Sequence, residues 1–211
     1  MKLKQIVIDF FEAEEKKMPS WLNSIETSNG ATLSSWLFET KHCQKIRICE
    51  LKIKQKFYAE SLVIYPQNNL QLPIFGSEFL NISNKRYFGA IDFHPTKNSD
   101  ISYLKYLEYF PDTKIDKLNH YDLTKFFSKK LWIKKDKNNF YDEYEIWIKC
   151  YLHQYKKILK NSNYNINYNT EINCYKEYNQ YMSDNDPAFG ILRSYFDRIF
   201  AEKYIRQFLF C

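Results

Sequence analysis

Glycine is scarce in this sequence: Gly30, Gly76, Gly89 and Gly190 are the only four among 211 residues. They form neither a GxGxxG nor a P-loop, so a glycine-rich cradle for nucleotide phosphates is excluded. Cysteine is sparse and odd in number, with Cys43, Cys49, Cys150, Cys174 and Cys211 and no CxxC pair. That pattern argues against a disulfide framework, a zinc site or an iron–sulfur cluster, and it makes a reducing compartment the default. The four histidines, His42, His94, His120 and His153, show no HExxH or other metal-ligand spacing. No GxSxG occurs, and each cysteine reads most simply as a small core residue. No apolar run is long enough to span a membrane, and the opening MKLKQIVIDFFEAEEKK reads as an amphipathic helix, not as a leader peptide. The formal charge is +6 without a dense Lys/Arg run, which points away from nucleic acid and toward an acidic protein partner or an anionic ligand. Proton transfer by carboxylates is the chemistry these absences leave.

Aromatic residues, by contrast, are plentiful: 18% of the chain, with 18 Tyr and 17 Phe. Such a content suits a sheet-rich core or a pocket for a flat ligand, and an AT-rich coding sequence also produces it. At 211 residues the chain fits one domain, residues 1–211, large enough for a substantial core. Ile6, Phe10 and Phe11 fall at helical spacing, and the spacing predicts a first helix ended by Pro19, Asn23 and Ser24. From Leu33 to Phe93 the stretches LSSWLFET, KIRICELKIKQ, FYAESLVIYP and RYFGAIDF predict an antiparallel meander. After Pro95 the period turns helical, with YLKYLEYF as a short helix and Asp142 to Lys160 as a long one. That long helix carries the stripe Tyr144, Ile148, Tyr151, Leu152, Tyr155, Ile158 and Leu159. A polar break, NSNYNINYNTE, precedes closing helices punctuated by Pro187 and Gly190. The expected class is α+β, a central sheet flanked by helices from both ends of the chain.

Two acids stand out. Glu78 lies in QLPIFGSEFL among Phe75, Phe79 and Leu80, after a Pro and a Gly read as shaping a turn. It is either an edge residue with its head in water or a carboxyl held inside to move a proton. Asp186 lies in YMSDNDPAFG, where an Asp before a helix-starting Pro is a capping signal. Composition and spacing leave both alternatives open.

The stretches SLVIYPQNNLQLPIFGSEFL, GAIDFHP, KFFSKKLWIKK and YNQYMSDNDPAFGILRSYFDRIFAEKYIRQFLF, in this order, cover most of Lys45 to Phe210. They resemble the ferredoxin-dependent bilin reductases, and most nearly the phycoerythrobilin-forming branch. The resemblance implies an α/β/α sandwich with a central antiparallel sheet and a bilin held between the sheet and the C-terminal helices. It implies no bound metal or flavin: reduced [2Fe–2S] ferredoxin supplies single electrons, the bilin carries the radical, and carboxylates supply protons. On that pattern Asp186 matches the C-terminal aspartate tied to A-ring protonation, and Glu78 takes the place of the family's usual central Asp. Ser61 stands where relatives carry His or Asn, and Glu50 falls on a glutamate that another branch uses for vinyl reduction. Lys134 resembles a propionate-pairing position, and Arg47 is a second cation suited to the same pairing. Arg193, Arg198, Lys203 and Arg206 suit docking of an acidic ferredoxin, tempered by the interspersed Asp197 and Glu202. The expected substrate is biliverdin IXα or 15,16-dihydrobiliverdin and the product phycoerythrobilin, the alternative being a carrier of the same fold without turnover. A soluble monomer, in a cyanobacterial or phage-infected cytoplasm or a plastid stroma, completes the expectation, with a preceding or following bilin enzyme as a further partner and neither nucleic acid nor membrane.

Overall fold

Between Ala31 and His94 branched and aromatic residues dominate, and two of the hairpins close on residues that accept a left-handed backbone. Lys54 (φ 43°) closes one hairpin, and Ser83 (φ 56°) with Asn84 (φ 53°) closes another. The structure, a computed structural model, describes residues 3–96, 101–113, 125–162 and 175–211. Among the described residues eight strands form one antiparallel sheet: β1 Glu14–Glu15, β2 Ile25–Glu26, β3 Ala31–Glu39, β4 Cys43–Ile53, β5 Phe57–Pro66, β6 Ile74–Ile82, β7 Arg86–His94 and β8 Trp132–Asp136. Their order is β1-β3-β4-β5-β6-β7-β8, and β2 also pairs with β3. The four strands predicted from the sequence are therefore present as β3, β4, β5 and β7, with β6 standing between β5 and β7 and β8 added at the far edge.

Helices cover both faces. On one lie α1 (Leu3–Phe11) and α2 (Tyr141–Asn161), and the seven residues of the α2 stripe are all buried. Tyr144, Tyr151 and Tyr155 pack on Phe79 and Phe93 of the sheet at centroid distances of 5.2–5.6 Å, each buried ring worth about 1.5–3 kcal/mol of transfer free energy. On the other face lie α3 (Lys176–Asn185), α4 (Ala188–Phe196), α5 (Arg198–Tyr204) and a π-helical turn, Ile205–Leu209. The two faces carry separate apolar clusters, as the α/β/α layering requires.

Several boundaries differ from the sequence reading. The first helix stops at Phe11, not near Pro19, because Glu12 turns left-handed (φ 51°) and β1 follows. Of the YLKYLEYF segment only the first five residues are helical, as the end of a 3₁₀ helix, Ile101–Leu107. The last helical stretch breaks at Asp197 (φ 81°), whose carboxylate accepts from the Phe200 amide at 2.8 Å and restarts the chain as α5. Gly76 lies inside β6, not in a turn. Most of the polar break after α2, and Cys174, fall outside the described residues. Among the described residues no helix is long and apolar enough to cross a membrane.

Candidate active site

Side chains alternate across a strand, so the register decides which residues share a face. Ser35 pairs with Cys49, Cys49 with Ser61, Ser61 with Glu78, Glu78 with Ala90 and Ala90 with Ile133. This row faces α3–α5. Most of its members are small, and the next row adds Gly76, so the sheet cannot fill the space beneath the helices. A cavity of about 960 Å³ results, lined largely by apolar atoms. That volume is of the size that takes an organic ligand with a few polar groups to orient it.

Glu78 projects into this cavity from β6, and Asp186 faces it from the junction of α3 and α4. Burial, then the neighbouring charge of Asp186, pushes the Glu78 carboxyl up to about 7, against the opposing pull of Arg47. Both acids keep partial access to the cleft but are enclosed by protein on their other sides. Asp186 is also raised, by burial, although its Oδ1 accepts from the Ala188 amide at 2.7 Å. The capping reading of Asp186 is therefore realised, and its carboxyl lines the cleft as well. Two carboxyls whose proton affinity burial raises, beside an apolar cavity, are placed to give up protons.

Arg47 forms part of the inner wall and is only 3% exposed. Its guanidinium reaches Cys49 Sγ at 3.6 Å and Ser61 Oγ at 3.5 Å and lies 5.1 Å from the Phe210 ring centroid. Cys49 and Ser61 are 2.8 Å apart, and burial raises the Cys49 thiol, so it stays protonated. The Tyr204 hydroxyl of α5 bonds Ser35 at 2.8 Å and ties the helical layer to the sheet.

His94 and Asp92, in the quoted stretch GAIDFHP but given no role by sequence reasoning, line the same cavity. Burial lowers the His94 imidazole to about 4, so it is neutral, and its 3.7 Å approach to Asp92 is not an ion pair. His94 Nδ1 donates to the Phe126 carbonyl at 3.2 Å, which leaves Nε2 as the bare acceptor. A Cβ at Gly76 would stand 2.4 Å from that Nε2. Asp92, pushed up to about 7 by burial, accepts from the Ser128 amide at 2.7 Å and hydroxyl at 2.5 Å, and so anchors the loop before β8.

The sequence model of the ferredoxin-dependent bilin reductases matches residues 1–211. The chain belongs to this family. It is 28% identical, over 99% of its length and 91% of the relative's, to 15,16-dihydrobiliverdin:ferredoxin oxidoreductase of Nostoc punctiforme. It is 26% identical to phycoerythrobilin:ferredoxin oxidoreductase of Prochlorococcus marinus strain NATL2A, over 90% of this chain and 80% of the relative. The crystal structure of phytochromobilin synthase from tomato in complex with biliverdin shares its fold, with a TM-score of 0.74 at 16% identity, covering 99% of this chain and 83% of that one. This bilin reductase is thus an oxidoreductase that takes electrons from ferredoxin and delivers them to a bilin.

The structure does not bring two of the expected residues of the reductase to the cleft. Glu50 neighbours Cys49, and one step along a strand turns it to the α2 face. There Lys52 Nζ donates to it at 2.7 Å and the Tyr58 hydroxyl at 3.2 Å. Lys134 pairs with Gly89, not with a cleft residue, and its Nζ meets Glu143 of α2 at 2.5 Å. Lys135 lines the cleft in its place, with Arg86 and Lys137 beside it. Alternation counted from Glu78 across the register would have found Lys135, Asp92 and His94. Arg193, Arg198, Lys203 and Arg206 are all exposed on the helices that roof the cleft.

Proposed function

We propose that this reductase converts 15,16-dihydrobiliverdin or biliverdin IXα to phycoerythrobilin. The observation that carries the reading is the pair of raised carboxyls, Glu78 and Asp186, facing one apolar cavity of about 960 Å³. Each double bond reduced takes two electrons and two protons. Reduced [2Fe–2S] ferredoxin gives the electrons singly, the conjugated tetrapyrrole holds the unpaired electron, and the two carboxyls give protons. Neither metal nor flavin has a part in the scheme. Ser61, in line with Glu78, offers a hydroxyl to the bilin, and the basic residues at the mouth, Arg86, Lys135 and Lys137, meet its propionates. An acidic ferredoxin docks on the roof helices through Arg193 and Lys203, with Arg198 and Arg206 beside them. The enzyme works as a monomer where ferredoxin is found, in a cyanobacterial or phage-infected cytoplasm or a plastid stroma.

The name of the Nostoc relative favours a second reading, in which reduction stops at 15,16-dihydrobiliverdin. Anaerobic turnover with reduced ferredoxin on biliverdin IXα and 15,16-dihydrobiliverdin, with products separated by chromatography, decides between them. Phycoerythrobilin from either substrate supports the first reading. Accumulation of 15,16-dihydrobiliverdin as the end product establishes the second. Tight binding without any reduction leaves a bilin carrier.

A further inference from the structure

Arg47 is a buried cation without a matching anion. Its hydrogen-bond and ring partners are neutral: a thiol at 3.6 Å, a hydroxyl at 3.5 Å, the Tyr65 hydroxyl and the Phe210 ring. Its Nε is buried and has no hydrogen-bond partner, and among the described residues no carboxylate lies within ion-pair distance of it. The acids that share the cleft do not supply the missing charge in full, because burial favours their protonated forms. A guanidinium buried without an ion-pair partner is costly to hold, and negative charge arriving at the inner wall offsets that cost.

We propose that Arg47 stabilises the bilin after it has taken up an electron, as the charge-setting residue of the cleft and not as a clamp for a propionate. This inference rests on the bilin reading of the site. Propionates are flexible and strongly hydrated, and the exposed or half-exposed Arg86, Lys135 and Lys137 at the mouth receive them without removing them from water. What reaches the inner wall is the conjugated core, which is neutral until ferredoxin reduces it. One electron from ferredoxin makes the core an anion, which Arg47 holds. Transfer of the proton from Glu78 or Asp186 then breaks the carboxyl O–H bond, forms the new bond on the bilin and leaves a carboxylate. The negative charge has moved from ligand to protein, and Arg47 faces it still. A cation that interacts with the charged states and hardly with the neutral one favours the reaction over mere binding.

The test is a spectroelectrochemical titration of the bilin-loaded protein, using biliverdin and its dimethyl ester, on the native chain, Arg47→Lys and Arg47→Met. Methionine fills much of the volume without charge, and Arg47→Gln repeats the measurement should Met not be tolerated. At the potential where the native complex is half reduced, the neutral variants are expected to hold about tenfold less reduced bilin relative to oxidised, the size of one charge interaction in a partly shielded interior. The drop is the same for acid and ester, binding persists, and Arg47→Lys restores most of it. An unchanged potential in the neutral variants overturns the proposal. So does a loss of affinity for the free acid but not for the ester, which would make Arg47 a propionate clamp. If the native protein binds no bilin, the functional reading fails together with this one; if it binds and reduces bilin with all Arg47 variants alike, this inference alone fails.

Discussion

Burial of the Glu78 carboxyl costs stability at neutral and alkaline pH, and the proposed proton path is what that cost would serve. Its carboxyl stands at about 7 in the folded chain against an ordinary 4.5. Below pH 4.5 it is protonated in both folded and unfolded states, so it costs nothing. Between 4.5 and 7 the unfolded chain ionises first, stability falls as pH rises, and above 7 the penalty is complete. Glu78→Gln is therefore expected to raise the melting temperature at pH 8 and to leave it nearly unchanged at pH 4, while turnover is blocked or redirected and bilin binding persists. Thermal unfolding at the two pH values, with product analysis, reads both effects; a variant with native products would remove Glu78 from the proton path. On the proposed proton path, turnover of the native enzyme is expected to fall as pH rises through about 7, where Glu78 ionises. Asp186→Asn is expected to stop or divert reduction at a different stage, because its carboxyl enters the cleft from the helical side. The asparagine keeps an oxygen for the Ala188 amide, so α4 should hold its start. Unaltered rate and product in that variant would leave Asp186 only its cap.

Register within β6 and β7 makes Gly76 the close-approach point of the site. It pairs with Asp92, and the His94 ring lies over it, held by the Phe126 carbonyl and packed between Phe127 and Tyr178 at 5.9 and 5.5 Å. A Cβ there would meet Nε2 at 2.4 Å, and a ring packed on both sides has little room to move. Gly76→Ala is expected to cost about 1–3 kcal/mol in urea unfolding and to disturb bilin absorbance; a loss well under that range would show that His94 swings aside freely. The same elements show what the sequence made legible. Strands β3, β4, β5 and β7 were readable because β-branched and aromatic residues mark them and turn formers bound them, whereas β6 was hidden behind the Pro and Gly read as a turn; α2 was readable because its stripe keeps one period for more than four turns. The break at Asp197 was not, since LRSYFDRIFAEKY continues a helical pattern and only the left-handed backbone shows the interruption. Nor was the facing of Glu50 and Lys134: a resemblance aligns residues along a strand, and an offset of one residue moves a side chain through the sheet. Glu50 instead joins a network in which Tyr58 bonds both it and Glu60, and Tyr141 bonds Glu60 at 2.7 Å, fastening β5 to α2.

Across the whole molecule, the formal charge of +6 matters through its placement. Four of the exposed cations on the helices that roof the cleft, Arg193, Arg198, Lys203 and Arg206, are not equivalent. Arg198 is paired with Glu202 at 2.8 Å and Arg206 with Asp184 at 3.1 Å, so much of their field is spent within the protein. Arg193 stacks 5.7 Å from the Phe189 ring and Lys203 lies 4.1 Å from the Trp21 ring, and neither has a carboxylate partner among the described residues. Ile199, 81% exposed between them in sequence, gives this surface an apolar point of contact. Aromatic contacts leave a cation's charge directed outward, whereas an ion pair cancels it, so Arg193 and Lys203 should account for most of the attraction to an acidic ferredoxin. The double change Arg193→Glu and Lys203→Glu is expected to slow ferredoxin-driven bilin reduction by about tenfold or more at low salt, with bilin affinity retained. The deficit should shrink as ionic strength approaches about 1 M, where screening reaches only a few ångströms. Arg198→Ala and Arg206→Ala together should slow it less, because their acidic partners are released as the cations are lost. Stopped-flow reduction over a salt series separates these cases: equal effects from the two pairs, or a deficit that persists at high salt, would move the docking surface elsewhere on the protein.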